Sequence, residues 1–254
     1  MGFELNWKTG DKTLPEKLKS VGEEIFKEHS QEVHKKLDKF LLPNGNFDAS
    51  AMRESWFPQV KADVFISHSH LDNDKALMLA GFLKENFGLK AFIDSCVWGY
   101  SNDLLKQIDK AICYKEKTKT YDYDKRNYTT THVHMILSAA LNEMIYNTET
   151  LFFLNTHKSI STSTKEMVKK TESGWIYSEL KMSKLIEKRP SSVHRKGKRY
   201  FFSKAVNEGF EYKIDTGHLH SLSWNDLDEW KRLFNERDHP LDQLYDQMKN
   251  RDQL

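Results

Sequence analysis

Apolar and polar positions divide the chain into short apolar runs separated by longer amphipathic stretches. Val64, Phe65 and Ile66 form a wholly apolar run of β-branched and aromatic residues, and a polar stretch over 67–74 follows, rich in helix-starting residues. This reads as a buried central strand that opens into a loop and then a helix. Ala76, Leu79, Ala80, Leu83 and Phe87 are spaced i, i+3, i+4, i+7 and i+11, which predicts an amphipathic helix with Asp72 or Asn73 as cap and Gly88 as terminator. A second strand is expected over 89–93, and a strand, helix, strand order in about 30 residues implies a parallel unit with a right-handed crossover. Further on, the pattern predicts a helix after Ser101 with Leu104, Leu105, Ile108 and Ile112 on one face. Another, capped by Thr131, carries Val133, Ile136, Leu137, Ala140, Leu141 and Met144. A third buried strand is expected over 151–154 and a helix over 175–187; 200–202 and 212–214 are candidate later strands, and helices start at Ser223 and after Pro240. The fold class is α/β, a central parallel sheet flanked by helices.

Ahead of the first strand, Thr13-Leu14-Pro15-Glu16 has the form of a capping box with an early proline. Leu18, Val21, Ile25, Val33, Leu37, Phe40 and Leu41 follow at roughly helical intervals. A helical N-terminal extension over 1–59 is therefore expected, broken by the turn signal Pro43-Asn44-Gly45 and resumed from Asp48 with Met52 and Trp56. It either covers one face of the next domain or serves partner binding and assembly. The main domain runs over 60–222 with an insertion at about 114–147, and C-terminal helices over 223–254 pack back on it. Between 112 and 131 charge alternates with tyrosine, which suits a solvated loop or hairpin, a substrate lid or assembly contact, or a nucleic-acid surface. Glu116, Asp122 and Asp124 dilute the basic charge there.

Composition narrows the classes. Charged residues make up 30% of the chain but nearly cancel, to +2, which argues against a protein that coats nucleic acid. Cys96 and Cys113 give no disulfide framework, the start of the chain lacks the apolar core of a signal peptide, and no apolar run reaches the roughly 20 residues a membrane span needs. The expectation is a cytoplasmic protein without membrane contact.

Candidate chemistry centres on one carboxylate. Trp175, Glu179, Met182 and Ile186 fall on a single stripe of the helix expected over 175–187, so Glu179 sits on an apolar face. Its i±3 and i±4 neighbours, Trp175, Ile176, Met182 and Ser183, include no cation. A functional carboxylate, a tertiary salt bridge and a partly exposed helix edge all fit that placement. The pairs His68/His70, His132/His134 and His218/His220 would place two rings on one side of a strand, but no Cys-x-x-Cys or helical H-E-x-x-H accompanies them, and no metal site is expected. Neither a Walker loop, a G-x-G-x-x-G nor a G-x-S-x-G is present.

Three boxes in order carry a family resemblance. Asp-Val-Phe-Ile-Ser at 63–67, Phe-Ile-Asp at 92–94 with the stretch at 102–109, and Ser-Gly-Trp-Ile-Tyr-Ser-Glu-Leu at 173–180 resemble the opening strand, the second strand with its loop and helix, and the S-x-W-x-x-x-E-L motif of Toll/interleukin-1 receptor (TIR) domains. The match covers roughly 61–190 and looks like a bacterial TIR protein of the Thoeris antiphage type. The resemblance implies a flavodoxin-like TIR domain that cleaves the nicotinamide-ribose bond of NAD and makes a cyclic or conjugated ADP-ribose messenger. In that reading Glu179 is catalytic, Trp175 stacks a flat substrate ring, Ser67, His68 and Ser69 bind ribose or phosphate, and Asp94 and Trp98 belong to the mobile loop that shapes the site. NAD is a substrate and no cofactor is needed. The implied partners are further TIR surfaces in self-association, a phage-derived trigger and a separate effector that the messenger acts on, with no nucleic acid. The alternative is a non-catalytic TIR adaptor or assembly module, which has no chemical need for Trp175 and Glu179.

Overall fold

The computed structural model describes residues 2–8, 10–11, 14–30, 37–162, 169–186 and 212–251. At its centre lies a five-stranded, wholly parallel sheet. In chain order its strands are β1 (Gly2–Asn6), β2 (Val64–Ser67), β3 (Ala91–Ile93), β6 (Thr150–Asn155) and β10 (His220–Leu222), arranged in space as β10-β1-β6-β2-β3. A short hairpin, β4 (Tyr114–Lys115) with β5 (Thr120–Tyr121), and a small antiparallel sheet of β7 (Ser161–Thr162), β8 (Lys169–Thr171) and β9 (Tyr212–Lys213) stand apart from it. The helices are α1 (Glu16–Ser30), α2 (Ala49–Trp56), α3 (Asn73–Phe87), α4 (Ser95–Ile108), α5 (Tyr123–Asn147), α6 (Gly174–Leu185), α7 (Trp224–Leu233) and α8 (Pro240–Arg251).

A parallel sheet is stable when both faces are covered, and strand alternation divides this one into two cores. Phe3, Leu5, Val64, Ile66, Ile93, Phe152 and Leu154 point into a core closed by α1, α3, α7 and α8. Phe65, Phe92, Leu151 and Phe153 point the other way, into a core closed by α2, α4, α5 and α6. The result is a flavodoxin-like α/β arrangement. The order β3-β2-β6 follows the first three places of the 2-1-3-4-5 pattern, and the fourth and fifth are filled by β1 and β10.

That placement of β1 departs from the helical reading of the N-terminal segment. Gly2–Asn6 pairs with β6 on one side and β10 on the other, burying Phe3 and Leu5 completely. Of the helical run expected after it, α1 carries Leu18, Val21 and Ile25, Leu37–Phe40 is a 3-10 turn, and Thr13 and Val33 lie outside the described residues; α2 is present with Asp48 as N-cap accepting from Ala51 N at 2.9 Å. α1 packs on α3 at two glycines: a Cβ on Gly22 would overlap the Leu77 carbonyl, and one on Gly81 the Leu18 carbonyl. The helices therefore meet backbone to backbone.

Several boundaries also move. α3 ends as expected on Gly88, at φ 65°. α4 starts at Ser95, six residues ahead of Ser101, and runs into a π-helical turn, Asp109–Cys113. The segment read as a loop or hairpin over 112–131 contains the β4–β5 hairpin, followed by the first turns of α5, which the pattern did not show. That helix is capped by Asp122, which accepts from Lys125 N at 3.0 Å, while Thr131 lies within it and donates to Asn127 O. The C-terminal half of α5 belongs to the core through Val133, Leu137, Ala140, Leu141 and Met144. α7 opens on a full capping box of Ser223 and Asp226. The candidate strand at 200–202 lies outside the described residues, and no described helix is long and apolar enough to cross a membrane.

The glycine contact is testable. Gly81→Ala, which would gain about 1 kcal/mol of helix propensity on an open helix, should instead destabilise the protein by about 1–3 kcal/mol because α1 must back away. Urea denaturation checks this, and an unchanged or raised midpoint would contradict the close approach.

Candidate functional site

The register of the sheet delivers the first two side chains. Phe65 stands opposite Phe92 and Ile66 opposite Ile93, and Asp94 N donates to the Ile66 carbonyl, so the pairing continues one residue past β3. By alternation Ser67 and Asp94 then emerge on the face of Phe65 and Phe92, at the carboxyl edge of the sheet. This is where open α/β sheets hold ligands. The third side chain comes from α6, started by Ser173, whose hydroxyl accepts from Ile176 N. Ile176 and Leu180 pin α6 to that same face and carry Glu179 in between them.

There Ser67 Oγ donates to Glu179 Oε2 at 2.6 Å, with Ser67 fully buried and Glu179 only 1% exposed. Glu179 Oε1 is buried without a hydrogen-bond donor, and no salt bridge reaches the residue among the described residues. Its neighbour is Asp94, a second carboxyl, itself buried. Burial, and then the negative charge of Asp94, push the Glu179 carboxyl well above the usual glutamate range; the Ser67 hydrogen bond pulls the other way and does not win. A buried carboxylate in this position needs either a proton or a cation from outside the cluster.

On the far side of Asp94 lies His68, whose Nδ1 stands 2.6 Å from Asp94 Oδ1 with both side chains buried. Burial works against charging the ring, but Asp94, Asp72 and Asn73 together outweigh it, so His68 is held above the ordinary histidine value. Asp72 begins α3 without capping it. Its carboxylate accepts from Thr156 Oγ1 at 2.5 Å and lies 3.4 Å from Lys75 Nζ. Asn73 accepts from Ser95 Oγ at 2.7 Å, which ties the start of α3 to the start of α4.

Four of the expected site residues, Ser67, His68, Asp94 and Glu179, thus form one buried cluster. Ser69 has a local task, since its hydroxyl accepts from Leu71 N and starts the turn His70–Asp72. Trp175 lies one turn ahead of Glu179, half-buried, with its ring edge-on to His134 at 5.9 Å. Trp98, expected in a loop after Asp94, lies instead on α4, and its side chain is outside the described residues. Sequence reasoning missed Asp72 and Thr156. Asp72 was hidden by its position at a helix start, where an aspartate is expected to cap. The His-x-His pairs do not act as pairs: His132 and His134 are on α5, where i and i+2 do not share a face, His70 is exposed in a turn, and His218 contacts Ser183 Oγ at 2.8 Å while His220 lies on β10. Among the described residues no group of three or more His, Cys, Asp or Glu is placed to hold a metal ion.

The sign of the Glu179 shift fixes a stability effect. Below the ordinary glutamate pKa the group is protonated in folded and unfolded chains alike and costs nothing; as pH rises the unfolded chain releases its proton first, and stability falls until the raised folded pKa is passed. Glu179→Gln, which keeps an acceptor for Ser67, should therefore melt higher than the wild type near neutral pH and converge with it in acid. A thermal melt series across pH reads this, and a variant less stable than the wild type at neutral pH would contradict it. Comparison with protein-family models, with curated proteins and with solved structures finds no match, so the chemistry of the site is read from these side chains.

Proposed function

We propose that the chain is a TIR-type enzyme that breaks the bond between nicotinamide and ribose in NAD and converts the ADP-ribose part into a cyclic or conjugated signalling nucleotide in bacterial antiphage defence. The observation that carries this reading is Glu179, an almost fully buried carboxyl at the sheet's carboxyl edge, fixed through one oxygen by Ser67 and faced by a second carboxyl instead of a cation. A module working only through its surfaces gains nothing from such a group, which lowers stability at neutral pH. The reading brings with it NAD as substrate and no bound cofactor. It also brings self-association through TIR surfaces, a phage-derived trigger and a separate effector for the messenger.

The chemistry follows from charge. The nicotinamide ring of NAD is a cation, so its arrival beside Glu179 and Asp94 favours release of the proton that burial had favoured. When the bond between the ring nitrogen and ribose C1′ breaks, the electron pair leaves with nicotinamide, which departs neutral and needs no general acid. Positive charge then appears on C1′ and the ribose ring oxygen. An ionised Glu179 stabilises that charge, and its gain over the ground state comes from being already fixed and dry. Capture of C1′ by an oxygen or nitrogen nucleophile, which gives up its proton, completes the transfer. Ser67 orients Glu179, and the His68–Asp94 contact sets the local negative charge.

Glu179→Gln should lower nicotinamide release by at least about a hundredfold while leaving the fold intact, measured by chromatography of NAD incubations or of nucleotides from expressing cells; persistent release would overturn the assignment. The acid limb of the wild-type kcat/KM profile, which reports the free enzyme, should lie above the ordinary carboxylate range. In Ser67→Ala it should move to still higher pH, because the lost hydrogen bond is the one that favours the ionised form. A limb that stays in place would show that Glu179 is not the titrating group.

A further inference from the structure

We infer that the crevice at the carboxyl ends of β1 and β6 is a subsite for the phosphate-bearing half of a dinucleotide whose other half reaches the cluster around Glu179. The identity of the dinucleotide rests on the NAD reading above; the crevice does not. It has a volume of about 280 Å³ and is lined by Asn6, Trp7, Lys8, Asn155, His157 and Lys169 among others. Ligand pockets commonly start at about 300 Å³. This one therefore takes part of a dinucleotide and leaves the rest to a neighbouring site.

Three features connect it with Glu179. First, alternation places Asn6 on the face of Glu4 and Asn155 on the face of Phe153, which is the face that carries Phe65, Ser67 and Asp94. The crevice thus lies at the same edge of the sheet as the carboxylate cluster and reaches its face through Asn6 and Asn155, while Trp7 belongs to the opposite core. Second, β1 is two strands from β2, roughly 10 Å at the usual strand spacing, a separation that one half of a dinucleotide can span. Third, Thr156, which also lines the crevice, donates to Asp72, and Asp72 acts on His68. Thr156 and Asp72 thus link the crevice to the start of α3, beside His68.

The lining favours an anion. Lys169 closes the floor, held at 2.7 Å from the buried Glu4 and at 2.8 Å from Thr216 Oγ1, so its charge is largely spent on the fold. Lys8 and His157 stand exposed at the mouth, just past the ends of β1 and β6, with no salt bridge among the described residues. The side-chain amides of Asn6 and Asn155 are locked to each other at 2.9 Å and fix the shape between them. A mouth that offers the Lys8 ammonium and a ring N–H of His157 above a rigid polar floor suits a diphosphate better than a neutral ring.

The test uses the full chain and ADP as probe, with Lys8→Glu and His157→Glu singly and combined, and Lys117→Glu in the β4–β5 turn as a control for charge. Lys169 is left alone because its loss would strand Glu4. Calorimetry should show ADP binding to the wild type and to Glu179→Gln, weakened about tenfold or more in the double variant and unchanged in the control. In turnover the double variant should lose NAD efficiency through KM, not kcat. No ADP binding to the wild type, or equal ADP binding and KM in the double variant, would overturn the subsite even if NAD is cleaved. ADP binding that depends on Lys8 and His157 in a protein that never releases nicotinamide would keep the subsite and remove the NAD reading.

Discussion

One buried hydrogen bond, from Ser67 to Glu179, joins positions 112 residues apart in the chain and draws a carboxyl group into the interior. Placing that group there is costly, since its second oxygen, Oε1, is a buried acceptor without a donor, which loses its water and gains nothing in return. The rest of the site is arranged around that cost. The sheet register puts Ser67 and Asp94 side by side at the edge, Ile176 and Leu180 clamp α6 against them, and His68 offsets the charge of Asp94 from behind. None of these contacts gives Glu179 a cation.

Much of this geometry was legible in the sequence, because it follows from periodicity. Val64, Phe65 and Ile66 had to be a buried strand, the stripe through Trp175 and Ile186 had to be a helix, and Glu179 had to lie on its apolar side. The parts that were hidden depend on contacts between distant segments. Nothing local tells that Asp72 turns away from its own helix toward Thr156, or that the histidine of the opening box would meet the aspartate after the second strand. The start of α5 was obscured differently: Tyr123 to His132 is polar on nearly every side, so it shows no apolar period although it is helical.

β1 could have been found and was not. Phe3, Leu5 and Trp7 alternate with Glu4 and Asn6, the period of a strand, but over a run so short that helical signals further on dominated. Its inward residues reach the core closed by α1 and α3, where Gly22 and Gly81 let the two backbones touch. Its other face carries Glu4, which a lysine from β8 neutralises. The N-terminal segment is thereby bound to the sheet on both faces.

The position of β1 also sets the order in which the protein can be completed. Its neighbours are β6 and β10, and Phe3 finds its partner at His220, more than two hundred residues later. On a ribosome one edge of the strand must wait for β6, whose Phe152 pairs with Phe3, and the other edge for β10. Pairing across such separations closes large loops and is slow. Every residue of the crevice, from Asn6 to Lys169, precedes Glu179 in the chain, so a nascent chain that reaches α6 already carries the strands of the crevice floor, while the outer edge of β1 still waits for β10.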